Sequence, residues 1–328
     1  MPRVSENGRV LGSIGVSKRE INQISFRPDG KSFLTLANNR IREWDVRTRK
    51  RLWDIGSYNG MQRFFVSPNG KNIALEVEDW SSKYEFVDSG PHNLEIWDGY
   101  VGTRLACYKS FDFDDIVFSP DGDLMAIATL LDWQVWDLHS SIHRILVQPI
   151  QADARGLNLR KLGFSQNGKI LIVLGWLQTE GHIEDLLLEW DISTGIEIKR
   201  IDLIGARRAS DWSQIAFSPA TRTFAFPCQN GSIAFLNAFD GTTLYTPEFT
   251  SKALACAFSP DGSMLVTTWR DSPARIFNTN SGQEICRLKK GGSHVKCAFS
   301  PLKEDPIIIT GSDNGVVRIW DIKSILPV

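Results

Sequence analysis

The sequence predicts an all-β protein in which seven copies of one four-stranded unit close into a ring. Three observations predict this fold: a short turn motif recurs seven times, a second motif follows each copy, and apolar runs of strand length lie between the two. The composition, 42% hydrophobic and 23% charged over 328 residues, is that of a globular chain. It excludes extensive disorder, collagen-like sequence and a disulfide-held mini-protein.

The first motif is Phe-Ser-Pro-Asp-Gly, which stands at 118–122 and again at 258–262. Degenerate copies begin at Phe26, Val66, Phe164, Phe217 and Phe299. The seven copies are spaced by 40, 52, 46, 53, 41 and 41 residues. A period near forty residues indicates repeated supersecondary units that stack against each other.

The second motif is Trp-Asp or a close relative of it. Its seven copies are Trp44-Asp45, Trp97-Asp98, Trp136-Asp137, Trp190-Asp191, Leu236-Asn237, Phe277-Asn278 and Trp320-Asp321. Trp53-Asp54 follows Trp44 by only nine residues, so we assign it to the fourth strand of the first unit.

The residues between the motifs have the pattern of strands. Asp-Gly and Asn-Gly pairs favour tight turns, and they are followed by apolar runs such as 124–128 and 170–174. Continuous apolar runs of this length are typical of strands buried on both faces. A segment ending at Trp-Asp comes next, and then a fourth segment such as 284–288. The unit is therefore four antiparallel strands, a to d, with strand a ending at the first motif and strand c at the second.

These linked motifs resemble those of the WD-repeat family, whose four-stranded blades close into a β-propeller. The resemblance runs from residue 9 to the C-terminus and implies one seven-bladed propeller as a single domain over 1–328. The seventh copy lacks a strand d, whereas 9–15 form a surplus strand before the first copy. We expect this N-terminal strand to serve as strand d of the last blade, which closes the ring and removes exposed edges.

The family also carries a polar tetrad in its best-formed blades, and the resemblance implies one in the last complete copy. Its members there are His294, Thr310 or Ser312, Asp313 or Asn314, and Trp320. Other copies depart from this pattern, so we expect apolar packing to hold them. The fifth and sixth, with Leu236 and Phe277 in place of Trp, are the most divergent.

Family topology places the d–a and b–c connections on one rim, here the upper rim, and the a–b and c–d turns on the lower rim. Long b–c loops are predicted at 78–93 and 177–186, and long d–a loops at 151–158 and 204–211. All four lie on the upper rim. Long loops on a rigid scaffold are where binding residues concentrate.

Five tryptophans outside strands c and d also fall on the upper rim in this register. They are Trp80, Trp133, Trp176, Trp212 and Trp269. Acidic residues gather in blades two and three, among them Asp115, whereas basic residues such as Arg208 come from loops around blades four and five. We predict a protein-binding site formed by these tryptophans with Asp115 and Arg208. The alternative for each tryptophan is that it caps a blade end beneath a loop.

Motifs of catalysis and metal binding fail on inspection. Gly163 to Lys169 matches a phosphate-loop pattern, but Ile170 replaces the required Ser or Thr and the context is strand–turn–strand. His139 and His143 have metal-ligand spacing only on a helix, and here they lie in a predicted turn. We therefore expect no enzyme activity, no cofactor and no metal.

A propeller enzyme or a small-molecule sensor that uses the central channel is the alternative class. It would need converging His, acidic or Arg side chains on strand a. The sequence instead places Val117, Gly163, Ala216, Ala257 and Ala298 there.

Net charge and cysteine usage limit the partners and the compartment. Thirty-seven Lys and Arg residues against 38 Asp and Glu give a net charge of −1, so no nucleic-acid or membrane partner is expected. The N-terminal residues are polar and lack a signal-peptide core, which predicts a cytoplasmic protein, or a nuclear one in a eukaryote. Five cysteines without a C-x-x-C pair indicate reduced, buried thiols.

The lower rim carries the basic run 47–51, which we interpret as a solvated face first and a docking patch for an acidic partner second. Trp44-Asp45-Val46-Arg47 resembles the box by which some eukaryotic WD-repeat proteins dock onto a cullin ubiquitin-ligase adaptor. A substrate receptor is therefore a further alternative. The leading prediction is a non-catalytic interaction scaffold, a monomer or a subunit of a hetero-complex, that presents its upper loops to a protein partner.

Overall fold

The computed structural model describes residues 5–6, 8–55, 60–78, 92–109, 113–129, 133–139, 144–147, 157–179, 182–203, 215–249, 251, 253–269, 272–288 and 293–323. Within these residues 29 β-strands form seven separate sheets. No helix in the described part of the chain has the length and hydrophobicity needed to cross a membrane.

Each sheet is one blade with its strands in the order a, b, c, d. The bounds in blades one to four are β3 Gln23–Phe26, β4 Ser32–Ala37, β5 Arg40–Asp45, β6 Arg51–Ile55; β7 Met61–Val66, β8 Asn72–Glu78, β9 His92–Asp98, β10 Arg104–Tyr108; β11 Asp115–Phe118, β12 Leu124–Ala128, β13 Trp133–Asp137, β14 Arg144–Val147; β15 Leu157–Phe164, β16 Ile170–Thr179, β17 His182–Asp191, β18 Ile196–Asp202. Blades five and six are β19 Ala216–Ser218, β20 Thr223–Pro227, β21 Ile233–Asn237, β22 Thr243–Tyr245; β23 Ala255–Phe258, β24 Met264–Thr268, β25 Ala274–Asn278, β26 Glu284–Leu288. Blade seven is β27 His294–Phe299, β28 Ile307–Ser312 and β29 Val316–Asp321, with β2 Arg9–Gly15 as its strand d.

The seven blades form a closed ring through contacts between their strands a. Strand a of every blade contacts strand a of the next, including β27 of blade seven against β3 of blade one. Seven apolar clusters fill the seven junctions between neighbouring blades. The predicted all-β, seven-bladed propeller is confirmed.

The N-terminal strand closes the ring as predicted. β2 pairs antiparallel with β29, from Arg9 opposite Asp321 to Gly15 opposite Val316. Ile14 packs with residues of blades seven and one, so this seam has an apolar core like the others. The chain also extends one strand further than the sequence indicated, because β1 (Ser5–Glu6) pairs in parallel with β26 and gives blade six a fifth strand.

A side chain from blade one holds the closing strand in place. A bulge between Val10 and Gly12 leaves the Leu11 carbonyl free of the ladder, and Arg49 Nη2 donates to it at 2.6 Å. Arg49 has φ +61°, in a turn position that glycine fills in blades two, four, five and six. A Cβ on Gly12 would collide with the guanidinium. The positive φ of Arg49, the bulge at Leu11 and the missing side chain of Gly12 thus all accompany this one hydrogen bond.

Hydrogen bonds within the a–b turns explain the first motif. In blade three the Ser119 hydroxyl donates to Asp121 Oδ1 and accepts from the Leu124 N–H at 2.9 Å. Blade four repeats this arrangement with Ser165 and Asn167. The serine and the Asp or Asn therefore close the turn between strands a and b.

The second motif is explained by the c–d turns. Asp45 Oδ1 accepts from the Thr48 N–H and hydroxyl at 2.6 and 2.8 Å. Asn237 and Asn278 of the divergent blades accept from the turn N–H groups in the same way. Since the turn needs only a side-chain oxygen, asparagine replaces aspartate there.

We expect Arg49→Ala to lower the free energy of unfolding by about 1–3 kcal/mol, because a charged hydrogen bond across the ring seam is lost. Lys50→Ala, one residue away and without a hydrogen bond from its side chain, should change it by less than about 0.5 kcal/mol. Urea denaturation of the two variants measures both effects. Equal stability of Arg49→Ala and the unmodified chain would show that the seam does not depend on this bond.

The turn aspartates predict a loss of stability in acid. The Ser119 hydroxyl and the Asp123 N–H lower the pKa of Asp121, and the Thr48 N–H and hydroxyl lower that of Asp45. Because the folded-state pKa values are depressed, this stability is present above the ordinary carboxyl pKa of about 4 and is lost as the pH falls through the folded values. Asp121→Asn keeps a side-chain oxygen that accepts from the Ser119 hydroxyl, as Asn167 does for Ser165, but the amide does not titrate. The variant should therefore show a weaker pH dependence of the free energy of unfolding, measured by denaturation between pH 7 and 2. An unchanged slope would contradict this assignment.

Candidate partner-binding surface

The strand registers define the upper rim of the propeller. In blade three Asp115, Ala128 and Trp133 lie side by side, so the starts of strands a and c and the end of strand b share one edge. The lower rim carries the a–b and c–d turns with the two motifs. Every candidate site residue discussed below is placed relative to these two rims.

Blade four rises above its neighbours at the upper rim. The sequence predicted a loop at 177–186, and this is wrong, because β16 and β17 remain paired from Ile170 opposite Asp191 to Thr179 opposite His182. β15 follows this extension, with its Leu157 opposite Leu177, and therefore begins inside the d–a loop predicted at 151–158. The insertion is a β-hairpin rather than a loop, because its two strands stay paired along its length.

The hairpin presents partly exposed apolar side chains on both faces. Ile172 and Leu174 pack against blade five, so Trp176 on the same face points toward that blade. Leu177 lies on the opposite face, the one from which Leu171 and Val173 pack against blade three. Trp176 and Leu177 are both half-buried.

Trp133 and Trp269 do not present the surface that the sequence predicted for them. They are 2% and 1% exposed. Trp133 meets Trp190 edge-on at 5.3 Å between ring centroids, and Trp269 lies 5.6 Å from Phe249 and donates to the Ser251 carbonyl at 3.2 Å. Both rings pack inside blade junctions, so the blade-capping alternative describes them.

Asp115 is likewise a packing residue rather than a surface charge. It is buried and accepts from Lys161 Nζ and from the Leu162 N–H, both at 2.9 Å. These donors belong to blade four, so the carboxylate joins two blades at the upper ends of their strands a. Burial of a carboxylate is tolerated because its oxygens are paired in this way.

Two more side-chain links follow the same circle around the channel mouth. Gln23 of blade one exchanges two hydrogen bonds with the backbone of Phe64 in blade two, at 2.6 and 2.9 Å. Arg63 of blade two ion-pairs with Glu76 and donates to the Asp114 carbonyl of blade three at 2.8 Å. Blades one to four are therefore joined by polar side chains at this level.

The network also contains a partly exposed ion pair, which is formed by Asp114 and Arg160. Arg160 Nη1 lies 2.9 Å from Asp114 Oδ1, and each side chain is 27% exposed. The pair stands at the foot of the blade-four hairpin, because Arg160 is on β15. Partly exposed ion pairs contribute little to stability and remain available to a partner.

Three of the predicted site residues lie outside the described part of the chain. They are Trp80, Trp212 and Arg208. Their place in a partner site stays a prediction, as does the predicted loop at 204–211.

The tetrad implied for blade seven is present in part. Trp320 Nε1 donates to Thr310 Oγ1 at 2.9 Å, and the buried His294 ring meets the indole edge-on at 5.8 Å. The threonine is therefore Thr310, whereas Ser312 closes the b–c turn through Val316 and Asn314. Asp313 is exposed, and the structure shows no hydrogen bond from it to the tetrad.

Other blades satisfy their tryptophans by bonds that the sequence did not indicate. In blade one Trp44 Nε1 donates to Thr35 Oγ1 at 3.0 Å. In blades two and three the acceptors are Glu95, at 2.8 Å, and Gln134, at 3.1 Å, each two residues before its tryptophan. A polar residue two positions before the tryptophan is the sequence signal that could have predicted the bonds in blades two and three.

Comparison with known proteins agrees with this architecture. The family model described as "WD domain, G-beta repeat" matches residues 285–321, which span strands d of blade six to c of blade seven. The chain is a seven-bladed β-propeller that carries a WD repeat at this junction, and it resembles the WD-repeat family.

Relatives of this propeller match it at low identity. The "WD40 repeat protein poxJ" of Penicillium oxalicum is 26% identical over 35% of this chain and 35% of its own length. "Apoptotic protease-activating factor 1" of Rattus norvegicus is 24% identical over 92% of this chain but 22% of its own length. The first relatives are thus matched over about a third of their length or less. The "Target of rapamycin complex subunit LST8" of Mus musculus is 22% identical over 70% of this chain and 69% of its own length.

The inner strands a of this propeller carry mainly apolar and thiol side chains around their first motif. Val117, Ala216, Ala257 and Ala298 are half-buried on strands a. In the described residues no three His, Cys, Asp or Glu side chains gather as metal ligands. Burial raises the pKa of Cys256 well above its usual value and that of Cys297 to about 12.

We expect slow alkylation of Cys256 and Cys297 by iodoacetamide at pH 8, because the raised pKa values keep both thiols protonated and the thiolate is the nucleophile. Labelling should rise sharply after denaturation in guanidinium chloride. Mass spectrometry of tryptic peptides measures the extent at each site. Native labelling as fast as that of the denatured chain would contradict the packed placement of these thiols.

Proposed function

We propose that this propeller is a non-catalytic interaction scaffold and that its upper rim at blades two to four binds a protein partner. The observation that carries the proposal is the blade-four hairpin, which holds Trp176 and Leu177 above the rim. A hairpin whose backbone is already paired presents such side chains with less loss of conformational entropy on binding than an irregular loop does.

The residue types around the hairpin suit a protein surface. Tryptophan is enriched among the residues that contribute most to binding at protein interfaces, and Trp176 is half-buried, so part of its ring is accessible to a partner. The Asp114–Arg160 pair at its foot offers both signs of charge, which orients a partner more than it adds affinity. Trp80, Trp212 and Arg208 remain candidates for the same surface.

The relatives support partners of this class. The name of the mouse relative describes a subunit of a protein complex, and WD-repeat relatives suggest a scaffold role. The apolar lining of strand a also favours a scaffold over a channel enzyme, because acid–base catalysis needs converging titratable groups. A cytoplasmic location is part of this proposal.

The test compares affinity purification of the intact tagged chain with that of three variants, and then measures the affinity of the recovered partner. Trp176→Ala should weaken binding about thirtyfold, because truncating an aromatic anchor residue usually costs about 2 kcal/mol of binding free energy. Arg160→Glu should reduce the association rate and change its salt dependence.

Lys50→Glu on the lower rim is the matched control and should bind as the unmodified chain does. Arg49 is unsuitable for this purpose, because it holds the ring seam. Melting temperatures of all variants must agree within about 2 °C. If Lys50→Glu abolishes binding and Trp176→Ala leaves it intact, the lower rim is the binding face and docking through the Arg47 turn replaces this proposal.

A further inference from the structure

The outer edges of the blades share a feature that the upper rim does not explain. In six blades strand d bulges relative to strand c at the same place, opposite the tryptophan or its substitute, and the bulged residue is apolar each time. These residues are Leu52, Leu105, Leu146, Ile198, Ile285 and Leu11, of blades one, two, three, four, six and seven.

The exposure of the bulged residue follows whether a fifth strand covers the edge. Leu52, Leu105 and Ile198 are 54%, 55% and 52% exposed. Ile285 of blade six, in contrast, is half-buried. It lies next to Cys286, which pairs with the N-terminal β1. This chain therefore shows that the outer edge of a blade accepts an extended segment in parallel.

We propose that the free edge of β18 in blade four is a second docking surface, for an extended segment of a partner protein. The segment adds parallel to β18 as a fifth strand, as β1 does on β26, and places apolar side chains at alternate positions against Ile196 and Ile198. Backbone hydrogen bonds of the free edge supply affinity, and the two isoleucines supply selectivity. This surface is on the circumference and does not depend on the upper-rim proposal.

Blade four has the most suitable edge among the described strands. β18 has seven residues whose exposure alternates strictly, and Ile196 is 60% exposed beside Ile198. β6 and β10 have five residues each and β22 has three. β2 is as long as β18, but its Leu11 carbonyl already accepts a hydrogen bond from Arg49.

The charged residues of β18 do not protect its edge. Lys199 lies 4.5 Å from the Phe239 ring centroid and donates to the Phe239 carbonyl of blade five. Arg200 forms two hydrogen bonds with Glu197, at 2.9 and 3.0 Å. Edge strands are usually protected by free lysines that repel another strand. Here those side chains are held within blades four and five.

A partner segment fits this edge better than a second copy of the chain does. A two-fold dimer would pair two β18 strands antiparallel, and a ladder centred on the middle residue Lys199 would set two lysines opposite each other with an Ile198 bulge on either side. Like charges and bulges on both strands weaken such a ladder. Parallel addition avoids both, and it requires a different segment.

The test selects nine-residue peptides from a phage-displayed random library on the intact protein, in the presence of excess Ile198→Lys competitor. The selected peptide is then synthesised and its affinity measured by fluorescence anisotropy. We expect Ile198→Lys and Ile196→Lys to weaken it at least tenfold, and the matched change Leu105→Lys on blade two to have no effect. Hydrogen exchange should slow at backbone amides of β18, and N-methylation of alternate peptide amides should abolish binding.

Three results would overturn the proposal. They are failure to select any peptide that depends on Ile198, binding that survives N-methylation, and protection outside β18. Self-association of the unmodified chain in sedimentation, lost in Ile198→Lys, would assign the edge to a second copy instead. Both isoleucines are exposed, so the lysine variants should fold, and their melting temperatures verify this.

Discussion

No blade of this propeller can bury both of its own faces, and this constraint governs the rest of the structure. Each of the seven apolar clusters takes residues from two neighbouring blades, so every blade depends on the one before it and the one after it. An open row of blades would leave two faces in water. The antiparallel ladder between β2 and β29 removes that cost by joining the first strand of the ring to the last blade.

The sequence predicted the features that local chemistry determines. The Ser-Pro-Asp-Gly turn and the Trp-Asp cap are closed by hydrogen bonds over two to five residues, so they recur in the sequence wherever they recur in the structure. The strand order and the closing strand followed from them. Even the replacement of Asp by Asn in blades five and six is explained by the same turn geometry.

What the sequence could not predict depends on contacts between blades. Trp133 and Asp115 were predicted on the surface, yet a neighbouring blade supplies the ring or the ammonium group that buries each of them. The length of the insertion in blade four predicted a loop, but backbone pairing between β16 and β17 makes it a hairpin, and length alone does not distinguish the two. The Thr35–Trp44 bond was not predicted, because blade one lacks the histidine of the tetrad although it keeps the threonine and the tryptophan.

The closing strand has a consequence for synthesis of the chain. Val10 leaves the ribosome early, whereas its ladder partner Trp320 is made some three hundred residues later. At about 5–20 residues per second, this delay lasts roughly 15–60 s. During that time β2 has no partner, and blade one has no neighbour on that side. The ring therefore closes only after the last blade has been synthesised, and until then the nascent chain exposes an apolar face of blade one.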